Sequence, residues 1–558
     1  MRLPQALLTL FLSLSVFSTV VQASPTQQKL QELYSSKFVL SSKGVPIVTV
    51  GLMTGRKVAS FSITSRAYVL LYRKNQSPFL LKLRPGRIYR VKITQSNAAK
   101  VRYWLSGFQT RYARSAAWKK AAAVWKKRGF SPKSLLVGSV FGIKGKIIDN
   151  RVRLGVLRSY STYSQAQKEA SRLSNRWNKH FHVYPELLSY PSFRLQLSYG
   201  SQKWFATSIM ELRTIRGTTK LRRVEFGRGY KWHGFETRRY QGRLLFAPDK
   251  KGLLSVSNQI PIPQMLRGIL PSEMPTSAPL EALKAQAICA RNEMLSKIGT
   301  RHLGDPFLFC PHTHCQVYTG MKSVHPRTDQ AIRATQGQIL MSKSRLAKAS
   351  YSAVCGGHSE HNENVWYTPR ASELRGKLDL LRAFAPRYKR GITSKNIQQW
   401  LFSSPSAYCK GTTRRTRKYF RWTRKISASR LNQLVNRKLV VGRVYKISVE
   451  KRGISGRAHV IRLYGRRWIN GGWVKTSLKV YRELTIRKLF GGLPSSMFIV
   501  QARYASPTRP VYWLFRGGGW GHGVGLCQRG AMGRARSGYN YKDILQHYFS
   551  GAKLLKVY

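Results

Sequence analysis

The hydrophobic pattern divides the chain into stretches of different period. From about Phe38 to Thr94, short apolar runs such as Val45-Pro-Ile-Val-Thr-Val50 and Ala67-Tyr-Val-Leu-Leu-Tyr72 alternate with Gly-containing turns, which predicts strands. The period then lengthens. Val101 to Gly107 reads as a strand, Ala113 to Arg128 as a helix ending at Gly129, Arg151 to Gly155 as a strand and Tyr163 to Trp177 as a second helix. Two such strand-helix units predict a small α+β module. From Phe193 to Ile269 the pattern is β again, with Tyr240 to Phe246 and Gly252 to Asn258 joined as a hairpin through Pro248-Asp-Lys-Lys. Ser277 as N-cap, Pro279 and Glu281 in the first turn and Gly299 as C′ residue predict a helix over Ala278 to Ile298. The fold class expected is α+β and multi-domain: a β-rich region over 24–97, the small α+β module over 98–180, and a unit over 181–558 that holds nearly all the residues able to do chemistry.

The first residues set the compartment. Arg2 is followed by the apolar stretch Ala6 to Val21 and by Val21-Gln22-Ala23, with small residues where a signal peptidase cuts, so 1–23 reads as a secretory signal. The stretch contains Ser and Thr and is short for a bilayer span, and no other long apolar run follows. The mature chain is therefore expected outside the cytoplasm, periplasmic or secreted and associated with the cell envelope.

Composition narrows the partner. The 558 residues include 99 Lys+Arg against 20 Asp+Glu, a formal charge of +79, while 42% hydrophobic and 11% aromatic residues exclude a disordered polycation. Such an excess points to a polyanion: nucleic acid, an anionic membrane or an acidic polysaccharide. For an exported chain, genomic nucleic acid is a poor candidate and an envelope polyanion a better one.

On the helix after Ser277, Leu280, Leu283, Ala287, Ile288, Met294, Leu295 and Ile298 share one arc, the expected buried face. Lys284 and Arg291 lie in the middle of that arc. Buried cations need partners, so either they pair with carboxylates of a neighbouring element or the helix walls a cleft for an anionic ligand. Just before it, Glu273 stands between Pro271 and Pro275; apolar surroundings would raise its pKa toward the range of a general acid, against the alternative of a solvent-exposed loop residue.

PSEMPTSAPLEALKAQAICAR closely resembles the signature of the SpoIID/LytB family, named for stage II sporulation protein D and an amidase enhancer. The resemblance continues in HCQVYTG at His314 to Gly320, YSAVCGGHSEHNENVW at Tyr351 to Trp366, GGGWGHGVGLCQRGAMG at Gly517 to Gly533, and GYNYKDILQHYFSGAKL near the C-terminus. It implies a lytic transglycosylase acting on peptidoglycan glycan strands whose peptides an N-acetylmuramoyl-L-alanine amidase has removed. Glu273 matches the family's catalytic glutamate, and Lys284 and Arg291 match its substrate-supporting cleft residues. One carboxyl group suffices for such a reaction, whereas a hydrolase usually needs a second across the bond; Glu360 and Glu363 are the candidates for that second group. Two rivals stand beside this expectation: an amidase enhancer that binds glycan without cutting it, and an exported nucleic-acid-binding protein motivated by charge alone. RVRLGVLRSYSTYSQAQKEASRL, from Arg151, resembles the second half of a SPOR domain, a βαββαβ module that binds peptide-stripped glycan; an ordinary α/β insertion is the alternative.

His302, Cys310, His314 and Cys315 offer the ligand types and number that zinc takes in closed tetrahedral sites. Family members with a similar His, Cys and His-Cys arrangement contain zinc, so a structural zinc is expected; His312 is an alternative to His314, and a Cys310 to Cys315 disulfide is the alternative to a metal. Among the other cysteines, Cys355 and Cys409 form the likeliest disulfide pair, and Cys289 and Cys527 read as buried thiols. The loop Gly517-Gly-Gly-Trp-Gly-His-Gly-Val-Gly525 lacks the Lys-Ser/Thr of a nucleotide loop. Either Trp520 stacks on a sugar while His522 and Gln528 hydrogen bond near the reaction centre, or the loop is a turn packed under Glu273. Gly356-Gly357, with Glu360 and Trp366, reads as cleft lining or as a simple turn. Arg414 to Lys425, RRTRKYFRWTRK, mixes cations and aromatics suited to an anionic glycan or to a solvated strand face.

Overall fold

The computed structural model describes residues 25–558 apart from 36, 75, 113–114, 178–180, 231, 344, 367, 382–385 and 412. The expected export signal lies outside the described residues, as does the expected helix start at Ala113. The fold is α+β and strand-rich, and among the described residues no helix is long and apolar enough to cross a membrane.

The β stretches before and after the small module are interleaved. One antiparallel sheet has seven strands in the order Val39–Leu40, Pro46–Arg56, Leu254–Pro261, Arg243–Pro248, Met210–Thr214, Ala67–Leu71, Phe79–Leu83. A second, six-stranded sheet likewise mixes early strands such as Tyr89–Asn97 and Val58–Ile63 with Ser192–Tyr199 and Thr219–Phe226. Their inner faces meet through side chains such as Phe61 and Phe246, whose ring centroids are 5.4 Å apart. Each stretch alone exposes an apolar face that the other covers, so they form one β unit; the chain leaves it near the expected boundary at 97/98 and re-enters at Ser192, beyond the expected 180/181, because His182–Leu187 belongs to the module's sheet. The predicted hairpin forms, with Arg243 opposite Gln259 and Pro248 opposite Leu254.

Between these stretches the chain makes a four-stranded antiparallel sheet in the order His182–Leu187, Val101–Arg111, Val152–Tyr160, Lys133–Val137, with the helices Ser115–Lys126 and Tyr163–Trp177. This is βαββαβ connectivity, interrupted by the hairpin Val140–Ile143 and Lys146–Asp149. The helices cover one face through Trp125, Leu157 and Leu173; on the other, Val137, Leu154 and Val156 cluster with Leu303, one residue past His302. The module is also tied to the rest by Asn150, whose amide donates to the carbonyls of Leu295 (3.0 Å) and Ile298 (2.9 Å).

The predicted long helix runs over Leu280–Lys297, with Pro279 rather than Ser277 at its N-cap and Gly299 at φ 67° just past its end. It is buried on nearly every side, not along one arc, because the helices Ile262–Glu273, Pro326–Ala334, Gln528–Arg536 and Tyr541–Tyr548 and the strand Gln338–Ser342 all pack on it. Ala282, Ala285, Ala287 and Ala290 permit that crowding. Ile262–Glu273 was expected to continue β pattern and loop; Pro263 in its first turn and Pro271 inside it masked its helical period. Residues 421–518 contribute two further three-stranded sheets, Arg421–Ser427 with Arg509–Gly518 and Phe498–Ser506, and Arg443–Arg452 with Ala458–Ile469 and Gly472–Tyr481, which share a core including Leu431, Ile461 and Phe515.

Asn292 stitches the central helix to its neighbours. Fully buried, it donates to the carbonyls of Leu340 (2.7 Å) and Ala347 (3.0 Å) and accepts from the Leu340 N–H (2.9 Å). Truncation removes all three bonds, leaving the Leu340 carbonyl only the Ala347 N–H at 2.9 Å, so Asn292→Ala should destabilise the protein by about 3 kcal/mol, read as a lower urea midpoint.

Candidate functional site

Glu273 is the last residue of the helix Ile262–Glu273, a position that leaves its backbone carbonyl without an intrahelical donor. The side-chain amide of Gln528 supplies one at 2.8 Å and also lies 3.4 Å from Oε1 of Gln286 on the central helix. Gln528 is the first residue of its own helix, set by the short parallel pairing of Leu526–Cys527 with Tyr351–Ser352. The glycine-rich loop and the YSAVCGG segment are thus adjacent strands, delivering Gln528 and Tyr351 to the same acid.

The Glu273 carboxyl is shielded, and this burial raises its pKa above the ordinary carboxylate value, against the opposing pulls of the Val317 N–H, the Tyr351 hydroxyl and the Lys297 charge. The negative end of a helix acts in the same direction as burial. The Val317 N–H lies 3.4 Å from Oε1. The Tyr351 hydroxyl donates to Oε1 of Gln316 at 3.0 Å, and Gln316 in turn donates to the carbonyl of Ala290 at 3.1 Å. The hydroxyl has one proton: while it serves Gln316 its oxygen can accept from a protonated Glu273, and by turning it can donate to the carboxylate. The arrangement therefore suits either charge state of the acid.

The 311–320 loop that presents Gln316 and Val317 is pinned at both ends. At one end, Nε2 of His302 lies 3.3 Å from Sγ of Cys315, and Nδ1 of His314 lies 3.6 Å from Sγ of Cys310 and 3.7 Å from Sγ of Cys315. All four donor atoms lie within 4.8 Å of one another. Ligands about 2.0 to 2.3 Å from a tetrahedral zinc are separated by roughly 3.5 Å, so the donor spacing fits. Nδ1 of His302 faces Asp305 at 3.1 Å, the outer carboxylate partner usual for a ligating histidine. At the other end, Tyr318 donates to Asn258 (2.8 Å) and the Thr319 N–H to the carbonyl of Gly268 (3.1 Å). Lys297 joins the two regions, bonding the Cys315 carbonyl and Glu293, each at 2.9 Å.

His522 adjoins Trp366, with ring centroids 4.9 Å apart, and burial drives its pKa down to about 4, so it is neutral at physiological pH. Trp520 is 43% exposed, edge-on to Tyr419, and offers a face at the protein surface. Lys284 and Arg291 are not brought to Glu273. Lys284 pairs with Glu281 at 2.6 Å beside Tyr541, and Arg291, fully buried, donates to the Gln338 carbonyl at 2.8 Å. On a helix, Gln286 and Glu293 share one face and Lys284 and Arg291 another. Of the two accounts of these cations, Lys284 follows the pairing one, though with a carboxylate on its own helix.

Glu360 and Glu363 are both committed elsewhere. Glu360, 1% exposed, accepts from the N–H groups of Ile454 (3.1 Å) and Ser455 (3.2 Å) and the Ser455 hydroxyl (2.6 Å). Glu363 forms a two-pronged pair with Arg375. The basic stretch from Arg414 is not a uniform basic surface: Phe420 is buried, Trp422 donates to the Gly519 carbonyl at 3.0 Å and Arg421 turns inward, while Arg417, Lys418 and Thr423 to Lys425 are exposed. Tyr351, Gln316, Gln286 and Lys297 have no assigned role at the level of sequence, although the first three stand inside the quoted motifs. Strand pairing brings Tyr351 to Glu273, a loop brings Gln316, and the helix Leu280–Lys297 carries Gln286 and Lys297.

Residues 250–341 match the family model described as stage II sporulation protein, and residues 360–525 match one described as a domain of unknown function. An uncharacterized protein of Brachyspira hyodysenteriae is 27% identical over 331 residues, 59% of this chain and 74% of that protein. The amidase enhancer of Bacillus subtilis is 27% identical over 301 residues, covering 52% of this chain but 40% of that protein, and its stage II sporulation protein D is 24% identical over 315 residues, covering 54% and 76%. These matches support the resemblance to the SpoIID family, with residues 250–341 as the matched segment. The second match covers the segment that enters after the Gly356 turn and returns at the Gly517 loop.

Because the Tyr351 hydroxyl favours the charged form of Glu273, Tyr351→Phe should move the Glu273 titration to still higher pH. A carbon-13 NMR titration of the glutamate carboxyl signals, with Glu273→Gln to assign the resonance, reads the shift; movement to lower pH would contradict the arrangement.

Proposed function

We propose that this protein acts on the peptidoglycan of the cell envelope as a lytic transglycosylase, cleaving peptide-stripped glycan strands to 1,6-anhydromuramyl products. The observation that carries this reading is a single shielded carboxyl group, Glu273, whose pKa is raised and whose backbone and side chain are both held in place. In the protonated form Glu273 donates to the glycosidic oxygen as the bond from the muramyl C1 breaks. The resulting carboxylate takes the proton of the muramyl C6 hydroxyl while that oxygen closes on C1. One group gives and recovers one proton and no water is consumed, which agrees with the commitment of Glu360 and Glu363 to other partners. Stripped strands expose a lactyl carboxylate on each muramic acid, an anion matched to a chain of charge +79. In this reading Trp520 stacks on a sugar ring, neutral His522 hydrogen bonds near the cleaved bond, and the βαββαβ module adds a glycan contact of the SPOR kind.

His302, Cys310, His314 and Cys315 would hold a structural zinc. When bound, the metal supplies rigidity to the loop and no chemistry. Gln316 and Val317 follow Cys315 directly, so the pin sets their distance to the acid.

The similarity to an amidase enhancer favours a second reading, in which the same cleft presents glycan to an amidase and cuts nothing. Mass spectrometry of the products from amidase-treated sacculi separates the two. Glu273→Gln should lower release of 1,6-anhydromuramyl fragments by about 10²-fold or more while binding persists; unchanged release ends the catalytic assignment, and no release by the unmodified protein favours the enhancer. Removing the metal with a chelator, or Cys315→Ala, should weaken cleavage and lower thermal stability together, with zinc restoring both only in the unsubstituted chain.

A further inference from the structure

A second cluster of ligating side chains lies away from the Glu273 carboxyl, in the interior between the core and the inserted segment. Cys355, Asp379, Cys409 and Cys527 come from four separate stretches of chain, are at most 1% exposed, and place their three sulfurs and one carboxylate oxygen within 4.8 Å of one another. Sγ of Cys355 is 3.5 Å from Sγ of Cys409 and 3.6 Å from Oδ2 of Asp379. All six cysteines are free thiols, so the expected Cys355 to Cys409 pair is adjacent without being a disulfide. A third cysteine, Cys527, completes the group.

We propose that Cys355, Asp379, Cys409 and Cys527 form a second metal site, closed and structural, for a thiophilic divalent cation such as zinc. The donor count, and the 3.5 and 3.6 Å spacings of Cys355 from Cys409 and Asp379, match the roughly 3.5 to 4 Å between ligands of a tetrahedral site. The outer contacts are those of a ligand set. Nε of Arg534 donates to Oδ1 of Asp379 at 3.0 Å and the Tyr548 hydroxyl to Oδ2 at 2.8 Å, which orients the carboxylate. Sγ of Cys527 accepts from the N–H groups of Cys355 (3.1 Å) and Gly530 (3.2 Å), the latter at the start of its helix, a setting that suits thiolate sulfur.

Charge supports the same assignment. Three thiolates and a carboxylate around a dication carry a net charge of −2, and a buried charge needs compensation. Arg534 supplies one positive charge directly. Arg421 supplies a second: it lies against the Gly356 carbonyl, next to Cys355, and its guanidinium bonds are made to the carbonyls of Trp400 (2.9 Å), Phe420 (3.0 Å), Gly356 (3.1 Å) and Leu401 (3.2 Å). Anionic sulfurs account for a buried guanidinium that is bonded to neutral carbonyls.

The consequence for the site is positional. Cys527 immediately precedes Gln528, and Cys355 opens the Gly356 turn beside Trp520. A metal here would hold the inserted segment to the core and fix the residue that caps Glu273, with no part in any proton transfer.

Metal content of the purified full-length chain, measured by plasma mass spectrometry, tests the proposal. Two zinc equivalents per chain are expected, falling to one in Cys409→Ala, to one in Cys310→Ala and to none in the double variant. Retention of wild-type metal content in Cys409→Ala overturns it. A single equivalent lost in Cys409→Ala but kept in Cys310→Ala would support this site and remove the metal at His302. Should Cys409→Ala not fold, peptide mapping of the unsubstituted chain after denaturation and alkylation without reductant decides: Cys355, Cys409 and Cys527 all recovered as thiols, with two metals per chain, support the site. Any disulfide among them, or thiols in a chain that holds no metal once Cys310 is replaced by Ala, overturns it.

Discussion

The carbonyl of Glu273 ends a helix, and a helix end buried without a donor is costly. The amide of Gln528 provides that donor from a segment 255 residues further on. Much of the core follows from keeping this contact. Gln528 must begin a helix, so Leu526–Cys527 must pair with Tyr351–Ser352, and that pairing brings the Tyr351 hydroxyl to the acid. The central helix is crowded because it backs all of these elements at once, which its alanines allow and which Asn292 secures.

A carboxyl group is useful as an acid only while it keeps its proton near neutral pH. Burial raises the Glu273 pKa above the ordinary carboxylate value, and its neighbours oppose that rise: the Val317 N–H, Tyr351 and Lys297 all favour the charged form. The nearby Glu293 is the contrasting case. Burial pushes its pKa up as well, yet Lys297 at 2.9 Å holds it below the ordinary value and ionised. The two glutamates are thereby shifted in opposite directions: Lys297 favours the charged form of both, but only at Glu293, with help from Arg301 and Ser350, does that pull outweigh burial.

The charge of +79 also takes on structure. The few acids are largely spent on internal pairs such as Arg267 with Asp329 and Arg534 with Asp379. Many arginines instead lie over aromatic rings, as Arg128 does over Trp125 and Trp177 and Arg194 over Phe205. Stacking holds the flat guanidinium while leaving its positive charge uncancelled. The surface thus keeps a general attraction for polyanions that does not depend on the residues around Glu273.

Read alone, the residues determined the fold class, the helix that stops before Gly299, the hairpin around Asp249, and both helices and two of the strands of the small module, and they singled out Glu273 and the nearby His and Cys donors as candidates. Each of these rests on local period, turn chemistry or short spacing. What only the tertiary structure decided depends on segments distant in the chain. The β stretches on either side of the module had to pair before they could be seen as one unit. Lys284 and Arg291 had to meet Glu281 and Gln338 before their separation from Glu273 was evident. Tyr351, Gln316 and the trio of Cys355, Cys409 and Cys527 acquired meaning only when strands and loops from four regions met around a common interior. Sequence spacing has no term for such meetings, because the free energy that sets them is shared burial rather than local conformation.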